Sequence, residues 1–410
     1  MAEGYNMTKV LRGVRVLEVS TYGFVPSGGA ALADLGADVI KVEHPVYGDP
    51  MRHLPCFGMP PGTGGLTLQW EAFNRGKRSI ALDIKQPAAH DLLLRLAATA
   101  DVFLTNYLPG VRRRLRIDVD DIRAVNPKII YARGSGQGAR GPEAEAGGFD
   151  VLSFWYRTGV ADAVTEPGKV APPLPAPAFG DVLSGVTLAG GVAAALFSRE
   201  RTGEPSVVDV SLMSTGMWAM QIGLIAADQV DHETMRGPSR QIPGNPLVRQ
   251  YLTADGRLVA LCMLEPDRYW KPLCDLIGRP EMAGDPRFVD ARARHDHDAE
   301  CAAFLAGEFV KRPLAQWRQL LGQQGGQWGV SQIEQEVVAD PQALANDYLV
   351  KIDYPGGLTQ QVVPAPFQFD EQVGDLRPAP AKGEHSNELL DEIGVAEVVR
   401  EQLRASGALG

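Results

Sequence analysis

The chain has 410 residues, of which 45% are hydrophobic and 22% charged, a globular composition that excludes wholesale disorder. Because one ordinary core takes roughly 100–200 residues, at least two domains are expected. The net charge of −10 excludes a protein-wide basic field for nucleic acid, although a local basic patch could still bind phosphate groups.

The pattern of cysteines and apolar runs predicts a soluble cytoplasmic protein. The N-terminal residues lack the apolar run of a secretory signal. The longest apolar stretch, residues 185–197, is shorter than the ~20 residues of a membrane span. No C-x-x-C pair is present, which is typical of a reducing compartment, and the cysteines are scattered: Cys56, Cys262, Cys274 and Cys301.

Strand and helix patterns alternate through the first part of the chain. This order predicts βαβ units, a parallel sheet and a doubly wound, Rossmann-like α/β domain. Helices are predicted over residues 27–35 and 87–99, with a further helix after Pro109. The predicted strands are residues 14–19, 38–43, 79–82, 100–104 and 128–132.

The remainder of the chain changes character. A glycine-rich loop over residues 134–148 and a proline-rich run over 167–177 precede a helix from Asp181 to about residue 198, a strand over 207–212 and a helical stretch to about Met235. A hairpin over 251–264, with an Asp255-Gly256 turn, opens a smaller α+β region. The tail is predicted to be an extended, proline-rich segment that crosses the protein, with a final helix over 388–394.

The predicted division is a large domain over 1–205, a linker helix over 206–235, a small domain over 236–330, and a linker with a C-terminal return to the large domain over 331–410.

Several common site motifs are missing or weak. The G-x-G-x-x-G of a dinucleotide site does not fit residues 21–29, so Glu43, at the end of the second strand, is more simply an ion-paired or solvated strand end than a ribose ligand. The glycine cluster 134–138 has no helix pattern after it. His295 and His297 do not share a helix face, which argues against a metal site. The chain also has no G-x-S-x-G or Walker A sequence.

Two basic clusters allow two interpretations. Each is either a solvated surface or a patch that binds phosphate groups, since arginine grips phosphate oxygens in bidentate fashion. The first cluster precedes the third strand and the second follows the Pro109-Gly110 turn, both in the α/β half. Their members are Arg75, Lys77 and Arg78, and then Arg112, Arg113 and Arg114.

Asp181 is the most informative carboxylate. Aspartate is a preferred helix N-cap, and the pattern alone favours that role over catalysis. Both roles are compatible, however, because a helix N-terminus stabilises an ionised carboxylate and offers N–H groups to a developing oxyanion. Gly180, just before it, would let a substrate approach closely.

Six short segments together resemble the family III CoA-transferases, which include formyl-CoA transferase, carnitine CoA-transferase and α-methylacyl-CoA racemase. The resemblance spans residues 11 to about 394. In chain order the segments are residues 11–18 (LRGVRVLE), 35–43 (LGADVIKVE), 74–80 (NRGKRSI), 106–110 (NYLPG), Gly180-Asp181 and 383–386 (GEHS).

The resemblance implies a CoA-transferase that moves CoA between an acyl-CoA and a free carboxylic acid. Asp181 matches the family's nucleophilic aspartate, which forms covalent acyl and CoA adducts. CoA is then a substrate, no cofactor is permanently bound and no metal is needed; Gly136 and Gly180 are loop or oxyanion candidates. The family fold implies an interlocked, ring-shaped homodimer with long linkers. The implied CoA contacts are Thr21, Tyr22, Gly23, His44, Asn74, Lys77, Arg78, Asn106, Tyr107 and Arg114.

The sequence departs from the family pattern at four places. Phe149 stands where the racemase branch has a proton-transferring histidine, which disfavours racemisation. Residues 243–246 do not match the glycine-rich loop of oxalate-using members. Pro205-Ser206 replaces Gly-Gln, and His44 replaces an arginine of some members. An acyl-CoA racemase and a non-catalytic CoA-binding or NAD-type protein remain alternatives, and three tryptophans are either acyl-pocket or core residues: Trp155, Trp218 and Trp328.

Overall fold

A computed structural model describes residues 9–166, 168–236, 244–374 and 376–410. Pro167 and Pro243, each the first residue of a segment singled out in the sequence, lie outside the described residues. The chain forms two compact units, one made of Met1–Ile225 with Pro341–Gly410 and the other of Ala226–Asp340.

The large unit is built on a parallel sheet, which confirms the predicted α/β class. Its six strands run in the order β3-β2-β1-β4-β5-β6, and every neighbouring pair is parallel. Strand order reverses between β1 and β4, and ligands of such sheets bind outside the carboxyl ends of the strands at this switch point. The strands are β1 (Arg15–Val19), β2 (Asp38–Glu43), β3 (Arg78–Ala81), β4 (Val102–Thr105), β5 (Ile130–Ser135) and β6 (Val207–Ser211).

Both faces of this sheet are buried, which explains why its strands have nearly continuous apolar runs. Val16 pairs with Val102 and packs into the core on one face. Leu17 pairs with Phe103 and packs into the core on the other face. The described helices of the large unit are α1 (Phe24–Asp34), α2 (Leu68–Asn74), α3 (Pro87–Ala98), α4 (Pro109–Leu115), α5 (Val119–Val125), α6 (Val160–Val164), α7 (Phe179–Thr202), α8 (Leu212–Ala219), α16 (Pro341–Ala345), α17 (Ser386–Glu392) and α18 (Glu397–Ala405).

Helices α1 and α7 cross at very short distance, and this contact positions the site described below. A Cβ added to Gly28 would lie 2.8 Å from the Gly185 carbonyl oxygen, so no larger residue fits there without movement. By length and composition alone α7 could cross a membrane, but 44% of its most apolar window is buried. Leu188, Ala189 and Val192 of α7 are buried in the core of the large unit.

The structure corrects three details of the sequence prediction. Helix α1 begins at Phe24, because a proline is tolerated in the first helical turn. Helix α7 begins at Phe179, and Ala178 precedes it with a φ of 59°, so Asp181 is not the N-cap. The single helix predicted to Met235 is wrong, since the chain breaks it into α8, α9 (Gln221–Ala226) and α10 (His232–Arg236).

The second unit contains the predicted hairpin, with β7 (Gln250–Leu252) antiparallel to β8 (Leu258–Leu261) and β9 (Trp328–Val330) on the other side of β8. Gly256 has a φ of 73°, as a tight hairpin turn requires. The helices of this unit are α11 (Pro266–Ile277), α12 (Ala291–Asp296), α13 (Asp298–Phe309), α14 (Leu314–Leu321) and α15 (Glu334–Val337).

The tail holds more regular structure than the extended crossing that the prolines predicted. Strands β10 (Val350–Tyr354) and β11 (Leu358–Val362) form an antiparallel hairpin. The predicted final helix is α17, and the sequence analysis missed α18, whose Leu403 packs into the sheet core together with Leu389 and Leu390 of α17.

Candidate active site

A cavity of about 260 Å³ lies at the carboxyl ends of β1, β4, β5 and β6. This is the switch point of the sheet, where a ligand site is expected. The loops that follow these strands form its wall, and Asp181 of α7 faces it. Among the predicted site residues, the structure brings six to this cavity: Thr21, Tyr22, Gly23, Asn106, Tyr107 and Gly136, beside Asp181.

Asp181 is the third residue of α7 and is half-buried. Among the described residues, no group donates a hydrogen bond to its carboxylate. Burial raises the pKa of Asp181 to about 7, and the neighbouring Asp150 carboxylate adds to this rise. The positive end of α7 partly offsets the effect of burial, because a helix N-terminus favours a negative charge in its first turn. Asp181 is thus a carboxylate that changes charge near neutral pH.

Gly23 lies directly against this carboxylate. A Cβ at position 23 would be 2.5 Å from Asp181 Oδ2, too close for any side chain unless the carboxylate moved. The hydroxyl of Ser27, one turn further along α1, donates to the main-chain oxygen of Asp181 at 3.2 Å. The start of α1 therefore fixes the immediate surroundings of Asp181.

Asp150 is a site residue that the sequence analysis missed. Its Oδ2 accepts a hydrogen bond from the Gly180 N–H at 3.3 Å, and its Oδ1 accepts from the Val151 N–H at 2.7 Å. It thereby ties the start of α7 to the segment after the glycine-rich loop. Burial raises the pKa of Asp150. Asp150 could have been predicted from its position directly after Phe149, the residue that stands where the racemase branch has histidine.

Two aromatic residues, Tyr22 and Phe149, line the cavity. The rings of Tyr22 and Phe149 meet edge to face, with centroids 5.4 Å apart and planes at 85°. Tyr22 has a φ of 67°, a left-handed conformation that is rare for a bulky residue. The side-chain amide of Asn106 binds the main chain of Thr21, the residue before Tyr22. Its oxygen accepts from Thr21 N at 3.0 Å, and its nitrogen donates to Thr21 O at 2.6 Å. Asn106 thus shapes the loop from one side.

Gly136 and Gly180 are both positions of close approach. A Cβ on Gly136 would be 2.7 Å from Gly148 Cα, and one on Gly180 would be 2.7 Å from the Phe154 side chain. The Gly136 carbonyl accepts from Met213 N, and the Gly180 N–H already donates to Asp150. Gly136 lines the cavity, whereas Gly180 does not line it and packs against Phe154.

Lys77 and Asn74, two of the predicted CoA contacts, are buried away from the cavity beside Asp181. The Lys77 side chain has no exposed surface, and its Nζ lies 2.7 Å from Glu18 Oε2 and 2.9 Å from Asn74 Oδ1. Burial lowers the pKa of Lys77 to about 7. Asn74 is equally buried. Both side chains belong to an internal polar cluster and present nothing to a ligand.

Arg78, another predicted CoA contact, does not line the cavity beside Asp181, because it begins β3 at the amino edge of the sheet and the cavity lies at the carboxyl edge. Its guanidinium pairs with Asp38 at 2.6 Å, Glu388 at 2.8 Å and Glu392 at 2.5 Å. In the same cluster Arg75 is buried and pairs with Asp34 at 2.6 Å. The first basic cluster is therefore structural.

The second cluster is divided. Arg112 is buried, with Nε 3.1 Å from Asp118 Oδ1, and Arg113 pairs with Glu145 at 2.6 Å. Arg114 is exposed on α4, the helix that follows Asn106 and Tyr107 of the cavity wall in the sequence. Among the described residues of this cluster, Arg114 is the exposed arginine for which no ion pair is found, and its contact with CoA stays a prediction.

His44 and Glu43 end β2. His44 Nδ1 accepts from Val46 N at 3.1 Å, and its ring packs on Tyr47. Glu43 is buried and bound in bidentate fashion by Arg52, both distances being 2.7 Å. The ion-paired strand end predicted for Glu43 is confirmed.

The three tryptophans do not line the cavity around Asp181. Trp155 is buried, donates to Pro173 O at 3.0 Å and packs on Phe179. Trp218 is 72% exposed on α8, and Trp328 packs against the core of the second unit. In the described part of the chain, no group of three or more His, Cys, Asp or Glu side chains could hold a metal ion.

The fold and the site together define an α/β enzyme with a carboxylate at a sheet switch point. The sequence profile of CoA-transferase family III matches residues 11–386, and the chain belongs to this family. The family resemblance is therefore confirmed, and with it a CoA-transferase that acts on CoA thioesters.

Named relatives match over nearly the whole chain. The cinnamoyl-CoA:phenyllactate CoA-transferase of Clostridium sporogenes is 31% identical over 97% of each chain. The probable fatty acyl-CoA transferase Rv3272 of Mycobacterium tuberculosis is 34% identical, over 93% of this chain and 97% of that protein. A crystal structure of Rv3272 superposes with a TM-score of 0.78 at 32% identity, over 94% of this chain and 100% of that one.

Proposed function

We propose that this CoA-transferase moves CoA from an acyl-CoA thioester to a free carboxylic acid through covalent intermediates on Asp181. One Asp181 oxygen attacks the thioester carbonyl, the C–S bond breaks and CoA leaves as a thiolate, giving an acyl-aspartyl anhydride. The thiolate then attacks the aspartyl carbonyl, releases the donor acid and leaves an aspartyl-CoA thioester. The acceptor carboxylate repeats the sequence in reverse, regenerating Asp181 and forming the new acyl-CoA.

The observation that supports this proposal is the state of the Asp181 carboxylate. It faces a cavity, lies against the bare backbone of Gly23 and has no recorded hydrogen-bond donor among the described residues. Partial desolvation makes a carboxylate more basic, and a more basic oxygen is a better nucleophile. A carboxylate that only stabilised the fold would be expected to have a donor or a cation beside it.

Trapping the intermediate tests the proposal. The enzyme is incubated with an acyl-CoA drawn from a panel of donors, treated with hydroxylamine and digested. A hydroxamate on the peptide that contains Asp181 is the expected result, detected as a mass change. Its absence with every donor that supports CoA exchange would contradict a covalent role for Asp181.

Racemisation is less well supported by the site. Exchange of an α-proton needs an acid and a base, and Phe149 lines the cavity where the racemase branch has histidine. Asp150 is already bound by the N–H groups of Val151 and Gly180. Uptake of deuterium into a 2-methylacyl-CoA without CoA transfer would reverse this preference.

For CoA itself we propose contacts to the carboxyl edge of the sheet. Thr21, Tyr107 and His44 lie along this edge, and Arg114 is exposed on the adjoining helix α4. Arginine is well suited to the phosphate groups of CoA because its guanidinium binds phosphate oxygens in bidentate fashion.

We also propose that the enzyme is a cytoplasmic homodimer with interlocked rings. Large apolar side chains on α8 and α9 support a partner surface, since Trp218, Ile222 and Ile225 are 72%, 83% and 70% exposed. Sedimentation at low protein concentration tests this assembly, and a stable folded monomer would contradict it.

A further inference from the structure

A buried charge cluster lies beneath the loop that follows β1. Lys41 Nζ is 3.0 Å from Glu18 Oε1 and 2.9 Å from Asp49 Oδ2, and Lys77 Nζ is 2.7 Å from Glu18 Oε2. Each of these four residues is at most 3% exposed. Lys41 thus joins the carboxylates of Glu18 and Asp49, and Lys77 shares Glu18 with it. Proposed catalysis at Asp181 does not use it.

This cluster bonds directly to the backbone of residues 20–26, the segment that carries Gly23. Three backbone groups are held: Ser20 O by Lys41 Nζ at 3.1 Å, Tyr22 N by Asp49 Oδ1 at 3.2 Å and Pro26 O by Lys77 Nζ at 2.8 Å.

The bond from Tyr22 to Asp49 falls at the strained point of the segment. A left-handed φ of 67° is unfavourable for a bulky residue such as Tyr22 and persists only where the surroundings impose it. Asp49 is well placed to impose it, because Lys41 holds its other oxygen and Met51 N donates to the same Oδ1 at 2.9 Å. The residue after Tyr22 is Gly23, which lies against Asp181.

We infer that Asp49, held by Lys41, is a positioning residue for the reaction, an inference that rests on the proposed role of Asp181. Its carboxylate keeps Tyr22 in the left-handed turn, and the turn keeps Gly23 packed against the Asp181 carboxylate. Loss of this bond frees the turn to relax, withdraws Gly23 and admits water to Asp181. Asp49 itself contacts neither the cavity nor Asp181.

The test compares two buried carboxylates of the large unit. Asp49→Asn keeps the size of the side chain and an oxygen that can accept from Tyr22 N, but it removes the charge through which Lys41 holds that side chain in place. Asp34→Asn is the matched control, because Asp34 is 4% exposed and pairs with Arg75 at 2.6 Å at the far end of α1. Asp49→Glu is the second variant, which retains the ion pair with Lys41 but is one methylene longer, so its oxygen no longer meets Tyr22 N in the same place.

Three quantities are measured in each purified variant: kcat and KM for CoA exchange, the pH profile of kcat/KM, and the rate at which the Asp181 adduct forms. For Asp49→Asn we expect kcat to fall at least tenfold with KM changed less than threefold. The titratable groups around the carboxylate are Asp150, Tyr22 and Tyr107, none of which is altered. The acidic limb of the profile should therefore move to lower pH as Asp181 becomes hydrated.

Asp34→Asn should lose comparable stability in urea but keep kcat within twofold and leave the pH profile in place. If Asp49→Asn does not fold, Asp49→Glu decides, with a kcat loss of at least fivefold expected. Equal kcat losses in the Asp49 and Asp34 variants would overturn the positioning role, as would a folded Asp49→Glu with full kcat. If the wild-type enzyme forms no adduct, the proposed function fails first, and this inference with it.

Discussion

Replacing Asp181 by Asn separates its chemical role from its effect on stability. The change keeps the shape of the side chain and removes the charge. Because Asp181 is not the N-cap of α7, no cap is lost. An amide is a poor nucleophile, so CoA exchange should fall by about a thousandfold or more. The same variant should be more stable than the wild type at pH 8.

The size and sign of the stability change come from the proton that the folded enzyme retains. A rise in the Asp181 pKa from 3.8 to about 7 corresponds to at most about 4 kcal/mol when the carboxylate is fully ionised. Between pH 4 and 7 the folded state holds a proton that the unfolded state has released. The free energy of unfolding therefore falls as pH rises through this window and levels off above it. Asn at this position removes that slope.

Urea denaturation of both proteins at pH 4.5 and pH 8, at one fixed protein concentration, measures the effect. The Asn variant should gain stability over the wild type at pH 8 and show little difference at pH 4.5. Asp120→Asn, which alters an exposed carboxylate on α5, is the matched control and should follow the wild type at both pH values.

Two results would refute this reasoning. If the wild type and the Asn variant lose stability in parallel between pH 4.5 and pH 8, Asp181 is not the group that retains the proton. If the Asn variant keeps substantial exchange activity, Asp181 is not the nucleophile, whatever its pKa.

Three further predictions address the surroundings of Asp181 and the CoA contacts. Gly23→Ala places a Cβ 2.5 Å from the Asp181 carboxylate oxygen and should lower kcat at least tenfold with the circular dichroism spectrum unchanged; full activity would show that the carboxylate moves freely. In the wild type, kcat/KM should rise with pH to a plateau above about 7, as Asp181 ionises, and a flat profile from pH 5 to 8 would contradict this. Arg114→Ala should weaken CoA binding in calorimetry by about 1–3 kcal/mol, and most at low salt, whereas Arg113→Ala, on the same helix but paired with Glu145, should change it less; equal effects would argue against a specific phosphate contact.

The sequence predicted the sheet well because its strands are buried on both faces. Such strands have continuous apolar runs, and glycine or proline signals bound them, so the ends of β1 to β6 were predicted to within three residues. Helix starts were harder to predict. Asp181 looked like an N-cap because aspartate prefers that position, but Ala178 takes a left-handed φ that no local pattern announces. The break after Met220 likewise has no proline to mark it.

Site residues divide according to what holds each side chain. Asp181, Tyr22, Gly23 and Asn106 were predicted from the family resemblance and meet at one cavity. Lys77 and Arg78 share a segment with the same family pattern, yet one is buried and the other points to the opposite edge of the sheet. A basic residue next to a motif predicts a positive charge, and only the tertiary structure says whether that charge is already neutralised.

The packing that stabilises the large unit also removes water from the Asp181 carboxylate, the proposed nucleophile. Helices α1 and α7 approach closely because Gly28 and Gly185 face each other at their crossing. That approach brings Gly23 onto the Asp181 carboxylate and removes water from it. Desolvation makes ionisation unfavourable, and the same desolvation makes the ionised oxygen more reactive towards a thioester carbonyl. A mutation at the helix crossing should therefore alter activity through the basicity of Asp181, even though it lies a full turn away from the cavity.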